Sequence, residues 1–571
     1  MMALLLALCA PPLFLRTAEH LSTHTMENVA LVTSQETWLR WHEGEPGAWL
    51  VTSNDGQPRV EKPPMLTWLD FLAWSDLTPG VATPAQLTHR ARIVSAALAL
   101  VMLASIFWLG NCLGGLSTAT LATLVAGSMI FFQRQGRTAS YDIHYVAWAT
   151  LAIAAAFWAM SPRGPAASRT RQIAGWSIAG AAMACSVMSK NPLPLFIVLM
   201  PVLSAIILLP QQRTASLIGL GAAILIAMLP VIPWYWHVAA TYPDAVRTLK
   251  MEFRQPRSNP QVFYYYLGLF GLVIPWSAWL ICGLIQPFTH IDWQRRRRVL
   301  IPWLWFALVF LFFSIPPAKQ QRYILPIIPA VALLCAQVLG EYQNRADSGR
   351  PDRLARIIGG AISFTLLLAS LCVGPMLAFH EWLAARVPTK LSGLFSAIRF
   401  NQMSVSCAIV LTIVLVSIAV LGWMWNRRWQ PMRSAVAMAI WALMVTIAYW
   451  GYENGEPQRT DEVKLYQAEA ERVASKIGNS PLRSLRITDM DFQKYKLNEE
   501  FRFYFGRLIR RITPEELAPY AQQSSVPVYV LTKSQVKYDE ALASAGYHEV
   551  DSTVITDEKD VQELWRHEPG K

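Results

Sequence analysis

Apolar residues in this 571-residue chain fall in long unbroken runs, divided by short polar or arginine-rich connections. A bilayer-crossing helix needs about 20 such residues. Runs of that order lie near 92–110, 115–133, 142–160, 172–188, 193–210 and 216–236, then near 262–285, 299–315, 322–339, 357–378, 404–425 and 433–450. The opening run, Met1 to Leu15, has neither a basic flank nor a convincing cleavage site and reads as a first membrane helix. The pattern therefore predicts about 13 spans over residues 1–450.

Two stretches break the pattern. Residues 16–90 predict a long first outer loop, with an amphipathic helix over 26–42. Val29, Val32 and Leu39 form its stripe, Trp38 and Trp41 are interface anchors, and Thr25 is its N-cap. A second apolar helix runs through Trp68 and Trp74. Residues 451–571 turn charged and predict a small α/β domain, with helices near 461–477, 513–521 and 534–545. Strand-like runs lie at Leu485–Thr488 and Val526–Leu531, and Thr513-Pro514-Glu515-Glu516 is a helix start with a capping-box glutamate.

Composition agrees. Charged residues make up 15% of the chain, against roughly 25% in an average soluble domain. The net charge of +12 raises nucleic acid as a partner, but the arginines cluster in short connections between spans, which favours membrane orientation instead. None of the seven cysteines has zinc-site or redox-pair spacing. With a cytoplasmic N-terminus, the arginine runs at Arg163–Arg171, Arg213, Arg295–Arg298, Arg345–Arg356 and Arg427–Arg433 all fall inside. Residues 16–90, 237–261, 379–403 and the C-terminal tail then lie outside.

Basic residues left on the outer side work against that rule and point to a bound anion. Glu61-Lys62-Pro63-Pro64 holds a lysine in a backbone that proline keeps extended. Arg137-Thr138-Ala139-Ser140-Tyr141-Asp142 brings a carboxylate to a span's mouth, either as a charge favoured by the helix dipole or as a group facing a polar cavity. Lys319-Gln320-Gln321-Arg322-Tyr323 can bind one phosphate through charge-assisted hydrogen bonds, or anchor and snorkel at the interface. Lys190 at a helix break and the loop Glu252 to Arg257 add to this surface. With carboxylates at Glu27, Glu61 and Asp142, the patches describe an anion site lined by acid–base groups. A lipid-linked phosphate suits it, since its tail stays in the bilayer.

The order of these patches resembles the GT-C membrane glycosyltransferases of the aminoarabinose lipid A transferase and protein O-mannosyltransferase superfamily. Lys62-Pro63-Pro64-Met65 matches the family's K-P-P-L-type motif, Arg92 its arginine entering the next span, Asp142 its span-opening aspartate and Lys190 its following lysine. Lys319, Tyr323, Leu325 and Pro326 match its K-x-x-x-Y-x-L-P segment, and the likeness covers about residues 20–340. The resemblance implies a mainly α, polytopic GT-C fold with an extracytoplasmic C-terminal α/β domain, in a bacterial inner membrane. It implies a polyprenyl-phosphate-linked sugar donor and a lipid or protein acceptor, with Lys62, Arg322 and Tyr323 near the donor phosphate. The family's first motif usually begins Asp-Glu; here it reads Thr25-Met26-Glu27-Asn28, which makes Glu27 the nearest carboxylate for the base, with Asp142 as the alternative. Glu61 resembles a glutamate beside a divalent metal, although Phe253 stands where a histidine would follow Glu252. No organic cofactor is implied. Two other readings stay open: a transporter or flippase, whose inverted repeats are not seen here, and a binding or scaffold relative.

Overall fold

The computed structural model describes residues 1–14, 17, 25–162, 167–209, 213–244, 246–247, 261–273, 276–289, 293–347, 457–485, 497–533, 536–557 and 560–569. The expected spans near 357–378, 404–425 and 433–450 lie outside the described residues.

The described chain is mainly helical. Its first part runs α1 (Met2–Cys9), α2 (Thr25–His42), α3 (Met65–Ala73), α4 (Pro84–Gly114), α5 (Leu116–Gly127), α6 (Ile130–Gly136) and α7 (Tyr141–Met160). It continues through α8 (Arg169–Ser189), α9 (Leu193–Leu208), α10 (Arg213–Thr241), α11 (Ser277–Ile285), α12 (Trp293–Ser314) and α13 (Ile328–Asp347). A 3-10 turn, Gln321–Ile327, leads into α13. Among the described residues five helices are long and apolar enough to cross a membrane, or up to seven if each of two bent pairs is one span. The chain is a multi-pass membrane protein.

The run expected as one span over 115–133 is instead α5 and α6, which meet at 71°. Side chains stabilise the break. Ser128 Oγ turns back to the Leu124 carbonyl, and the Gln133 amide caps the Gly127 carbonyl that the ladder has released. The membrane core is built by close approach of small residues, the packing that works where burial from water supplies no drive. A Cβ on Gly175 of α8 would stand 2.8 Å from Ala159 Cβ of α7. That contact lets the two helices lie backbone to backbone and brings their ends into register.

The first loop differs from its amphipathic forecast. Trp38 is not an interface anchor: it is 2% exposed and packs edge-on against Trp74, with Leu31, Val32, Leu87 and Phe503 around it. Trp41 does stay half exposed, stacked on Phe71. Glu27, Asn28, Thr33, Ser34, Gln35 and Thr37 are buried as well, because α2 is covered on its polar side too. Part of that cover, over Asn28 and Gln35, comes from the far end of the chain. A short hairpin, β1 (Ser53–Asn54) with β2 (Gln57–Pro58), closes the loop beside it.

The last described part holds α14 (Pro457–Ile477), β3 (Leu482–Leu485), α15 (Glu499–Phe505), β4 (Arg510–Ile512) and α16 (Pro514–Gln523). It ends with β5 (Val528–Lys533), α17 (Val536–Ser544), β6 (His548–Asp557) and β7 (Asp560–His567). The five strands make one mixed sheet, order β4-β3-β5-β7-β6, with β3 parallel to both neighbours. Thr513 and Glu516 form the capping box that starts α16. α15 docks this unit onto the first loop: Phe503 enters the Trp38–Trp74 cluster, and Gln35 donates to the Phe503 carbonyl at 3.2 Å. Arg502, 5% exposed, donates to Asn54 at 2.7 Å and pairs with Glu36 at 3.5 Å.

Candidate active site

The helix ends sort into two groups. Arg171 begins α8 and donates to the Trp158 carbonyl near the end of α7, while Arg297 in α12 donates to Leu208 at the end of α9. The opposite ends of α7 and α8 carry Asp142 and Lys190, and Arg322, in the 3-10 turn before α13, pairs with that Asp142. The arginine runs and the candidate site therefore occupy opposite ends of one bundle.

Asp142 lies in the first turn of α7 and is 2% exposed. Its Oδ1 accepts from Lys190 Nζ at 2.5 Å and its Oδ2 pairs with Arg322 Nε at 3.1 Å. Sequence explains how each cation arrives. Pro192 disfavours helix at Asn191, so α8 stops at Ser189 and Lys190 hangs at the break. Arg322 sits in the 3-10 turn before α13, where Pro326 follows. Aromatic faces complete the cage: Lys190 Nζ is 4.4 Å from the Tyr145 ring centroid and 5.1 Å from that of Tyr323. The buried Tyr145 hydroxyl and Ser140 Oγ beside Asp142 have no partner among the described residues.

A second layer comes from the first loop. Arg59 is buried; it donates to Glu61 at 2.7 Å and to Thr33 at 2.8 Å, and lies over the Tyr141 ring. Burial pushes the Glu61 carboxyl up, but Arg59 holds it below the usual carboxylate range. Lys62, half-buried, stands 6.0 Å from the Tyr141 centroid. Burial, with the positive charges of Lys190 and Arg59, brings its ammonium down to about 7. Lys190 and Arg322 against Asp142 leave one fixed positive charge in excess, and Lys62 adds a second that depends on pH.

Glu27 is held elsewhere. Arg92 of α4 grips it with two bonds of 2.8 and 2.9 Å, and the Ala139 amide donates to the same carboxylate at 2.8 Å. This buried fork ties α2 to α4 and to the approach to Asp142. Lys319, buried, donates to the carbonyls of Pro316 at 2.7 Å and Gln261 at 3.3 Å, so its ammonium straps a loop. Arg137 caps α6, five residues before Asp142. Glu252 lies outside the described residues. No group of three His, Cys, Asp or Glu side chains able to hold a metal occurs among the described residues. Glu61 is bonded to Arg59.

Sequence reading passed over Arg59, Tyr141 and Tyr145. Arg59 stands two positions before Glu61 in a short hairpin, and that proximity was the available signal. Tyr145 carried none: its ring meets Lys190 only because α7 and α8 are in register.

A family model described as dolichyl-phosphate-mannose-protein mannosyltransferase matches residues 79–248. The undecaprenyl phosphate-alpha-4-amino-4-deoxy-L-arabinose arabinosyl transferase of Pseudomonas paraeruginosa is 28% identical over 242 residues, 40% of this chain and 42% of that protein. The first of the two Pseudomonas fluorescens transferases of that name is 29% identical over 249 residues, again 42% of its own length. The chain thus matches about two fifths of the length of these relatives. Its likeness to the Edwardsiella ictaluri transferase is longer, 26% over 537 residues, covering 87% of this chain and 89% of that one. The crystal structure of ArnT from Cupriavidus metallidurans bound to undecaprenyl phosphate superposes with a TM-score of 0.69 at 16% identity, over 98% of this chain and 96% of that one. The ordered motifs, the matched family model and the shared fold bear out the resemblance to the GT-C superfamily of aminoarabinose transferases and protein mannosyltransferases.

Proposed function

We propose that this protein is an integral-membrane glycosyltransferase that moves a sugar from a polyprenyl-phosphate donor to an acceptor outside the cytoplasm. One observation carries the reading: a buried aspartate is held by two cations, with a third within reach of their charges. Such a centre stores positive charge in a site with little water, where a phosphate leaving group needs it. The unpartnered Tyr145 and Ser140 hydroxyls add hydrogen-bonding capacity that the protein itself does not use. The arginine runs at the opposite helix ends support an outward-facing site in a bacterial inner membrane, with the C-terminal unit on the same side.

The reaction is a single displacement. The acceptor oxygen bonds to the anomeric carbon, and the bond from that carbon to the phosphate oxygen breaks, its electron pair leaving with the lipid phosphate. Lys190, Arg322 and Lys62 neutralise that charge, so no general acid is required, unlike in two-carboxylate glycosidases. Each oxygen of Asp142 faces a cation, which makes it the organiser of the cage. Glu61 gives one oxygen to Arg59 and is 37% exposed beside Lys62, so we assign it to receive the acceptor's proton. Glu27, gripped by Arg92, is a positioning residue. Charge neutralisation is assigned to side chains, so EDTA is expected to leave transfer intact; its loss, restored by added Mg2+ or Mn2+, would overturn that assignment.

The names of the relatives make undecaprenyl-phosphate aminoarabinose the first donor to try. Membranes holding the protein should transfer label from it, or from another polyprenyl-phosphate sugar, to an envelope lipid or protein. Lys190→Ala and Asp142→Ala should insert normally and lose transfer. Retained transfer in both variants, or donor translocation without a covalent product, would sink the proposal.

A further inference from the structure

A cleft of about 530 Å³ lies away from the Asp142 centre, where the C-terminal unit meets the end of α2. Its wall includes Leu39 and His42 from α2, Phe505 from α15, and three arginines, Arg483, Arg507 and Arg510. The arginines differ in how they are balanced. Arg510 pairs at 2.6 Å with both Glu43, which also lines the cleft, and Glu45. Arg483 and Arg507 have no carboxylate partner among the described residues. Arg483 lies 4.4 Å from the Tyr520 ring centroid and donates to that tyrosine's hydroxyl. Arg507 donates to the Gly478 carbonyl at 2.8 Å and lies 4.9 Å from the Phe505 ring centroid. Neutral partners hold the two guanidiniums in place without cancelling their charge. Burial lowers the Arg507 pKa, a sign that its charge lacks compensation.

We infer that this cleft is a second anion site, which takes a phosphate or pyrophosphate group attached to a saccharide. Planar guanidiniums fixed by neutral contacts offer the paired donors that phosphate oxygens accept. Leu39 and Phe505 give the apolar surface against which a sugar ring can lie. The inference does not depend on the transfer reading, because binding here needs no chemistry at Asp142. The phosphate belongs either to a lipid headgroup at the membrane surface or to a soluble phosphorylated saccharide.

The test uses the full chain in nanodiscs of zwitterionic lipid, titrated with inorganic pyrophosphate by calorimetry. Saturable binding is expected, weakening as salt rises from about 0.1 to about 0.5 M. Arg483→Gln with Arg507→Gln should weaken it by about tenfold or more. Arg483→Lys with Arg507→Lys should retain part of it. Thermal unfolding of each variant confirms that it is folded. Nanodiscs containing anionic phospholipid separate the sources: loss of pyrophosphate binding identifies a lipid headgroup, and undiminished binding a soluble phosphate. No saturable binding by the unaltered protein, or equal binding by the folded glutamine variant, would overturn the inference.

Discussion

Two buried carboxylates, Glu27 and Asp142, meet cations within one fold, and their surroundings differ. Glu27 meets Arg92 in a two-bond fork with a backbone amide beside it. That fork joins α2 to α4. Asp142 has two cations on its two oxygens and a third nearby. Charge there is in excess and aromatic rings shape it. The difference teaches that a buried ion pair is structural when it closes on itself and ligand-seeking when it does not.

Breaking the closed pair should cost the fold most. Arg92→Ala takes the arginine away from the buried Glu27 carboxylate and should destabilise the protein by about 3–5 kcal/mol, read by unfolding in detergent. Arg92→Met with Glu27→Leu should recover most of that loss, and recovery of transfer in this double variant would show that Glu27 positions rather than reacts. At the open centre the effect should fall on rate. Lys190→Ala should lower transfer by about 10²–10³-fold, with unfolding little changed. Glu61→Gln should lower transfer by about 10²-fold or more, since it removes the proton acceptor while leaving an amide oxygen for Arg59 to bond.

Smaller effects sharpen the contrast. Lys62 is neutral above about pH 7 in the free protein, and a bound phosphate raises its pKa. Below pH 7 it is charged in both states, so donor affinity is flat; above, binding must take up a proton. Affinity should therefore fall as pH rises, by at most about tenfold per unit. Lys62→Arg should abolish that slope. Tyr323→Leu should weaken donor binding by about 0.5–2 kcal/mol through the lost cation–ring contact, and Tyr323→Phe by less.

Local chemistry written into the chain settled more than its length suggests. The apolar runs and arginine connections determined a multi-pass membrane protein, because hydrocarbon admits only backbone satisfied within each segment. Pro192 after Asn191 determined that a lysine would stand at a helix break, and Thr513 to Glu516 determined a helix start. The tertiary structure decided which charges meet. Lys190 reaches Asp142 because small residues such as Gly175 bring α7 and α8 together, 48 positions apart in the chain. It turned Lys319 toward loop carbonyls, locked Glu27 onto Arg92, and buried Trp38 under Phe503 from the far end of the chain. A side chain's type limits the bonds it can make, but only packing across hundreds of residues selects its partner, and with it the difference between a strut and a site.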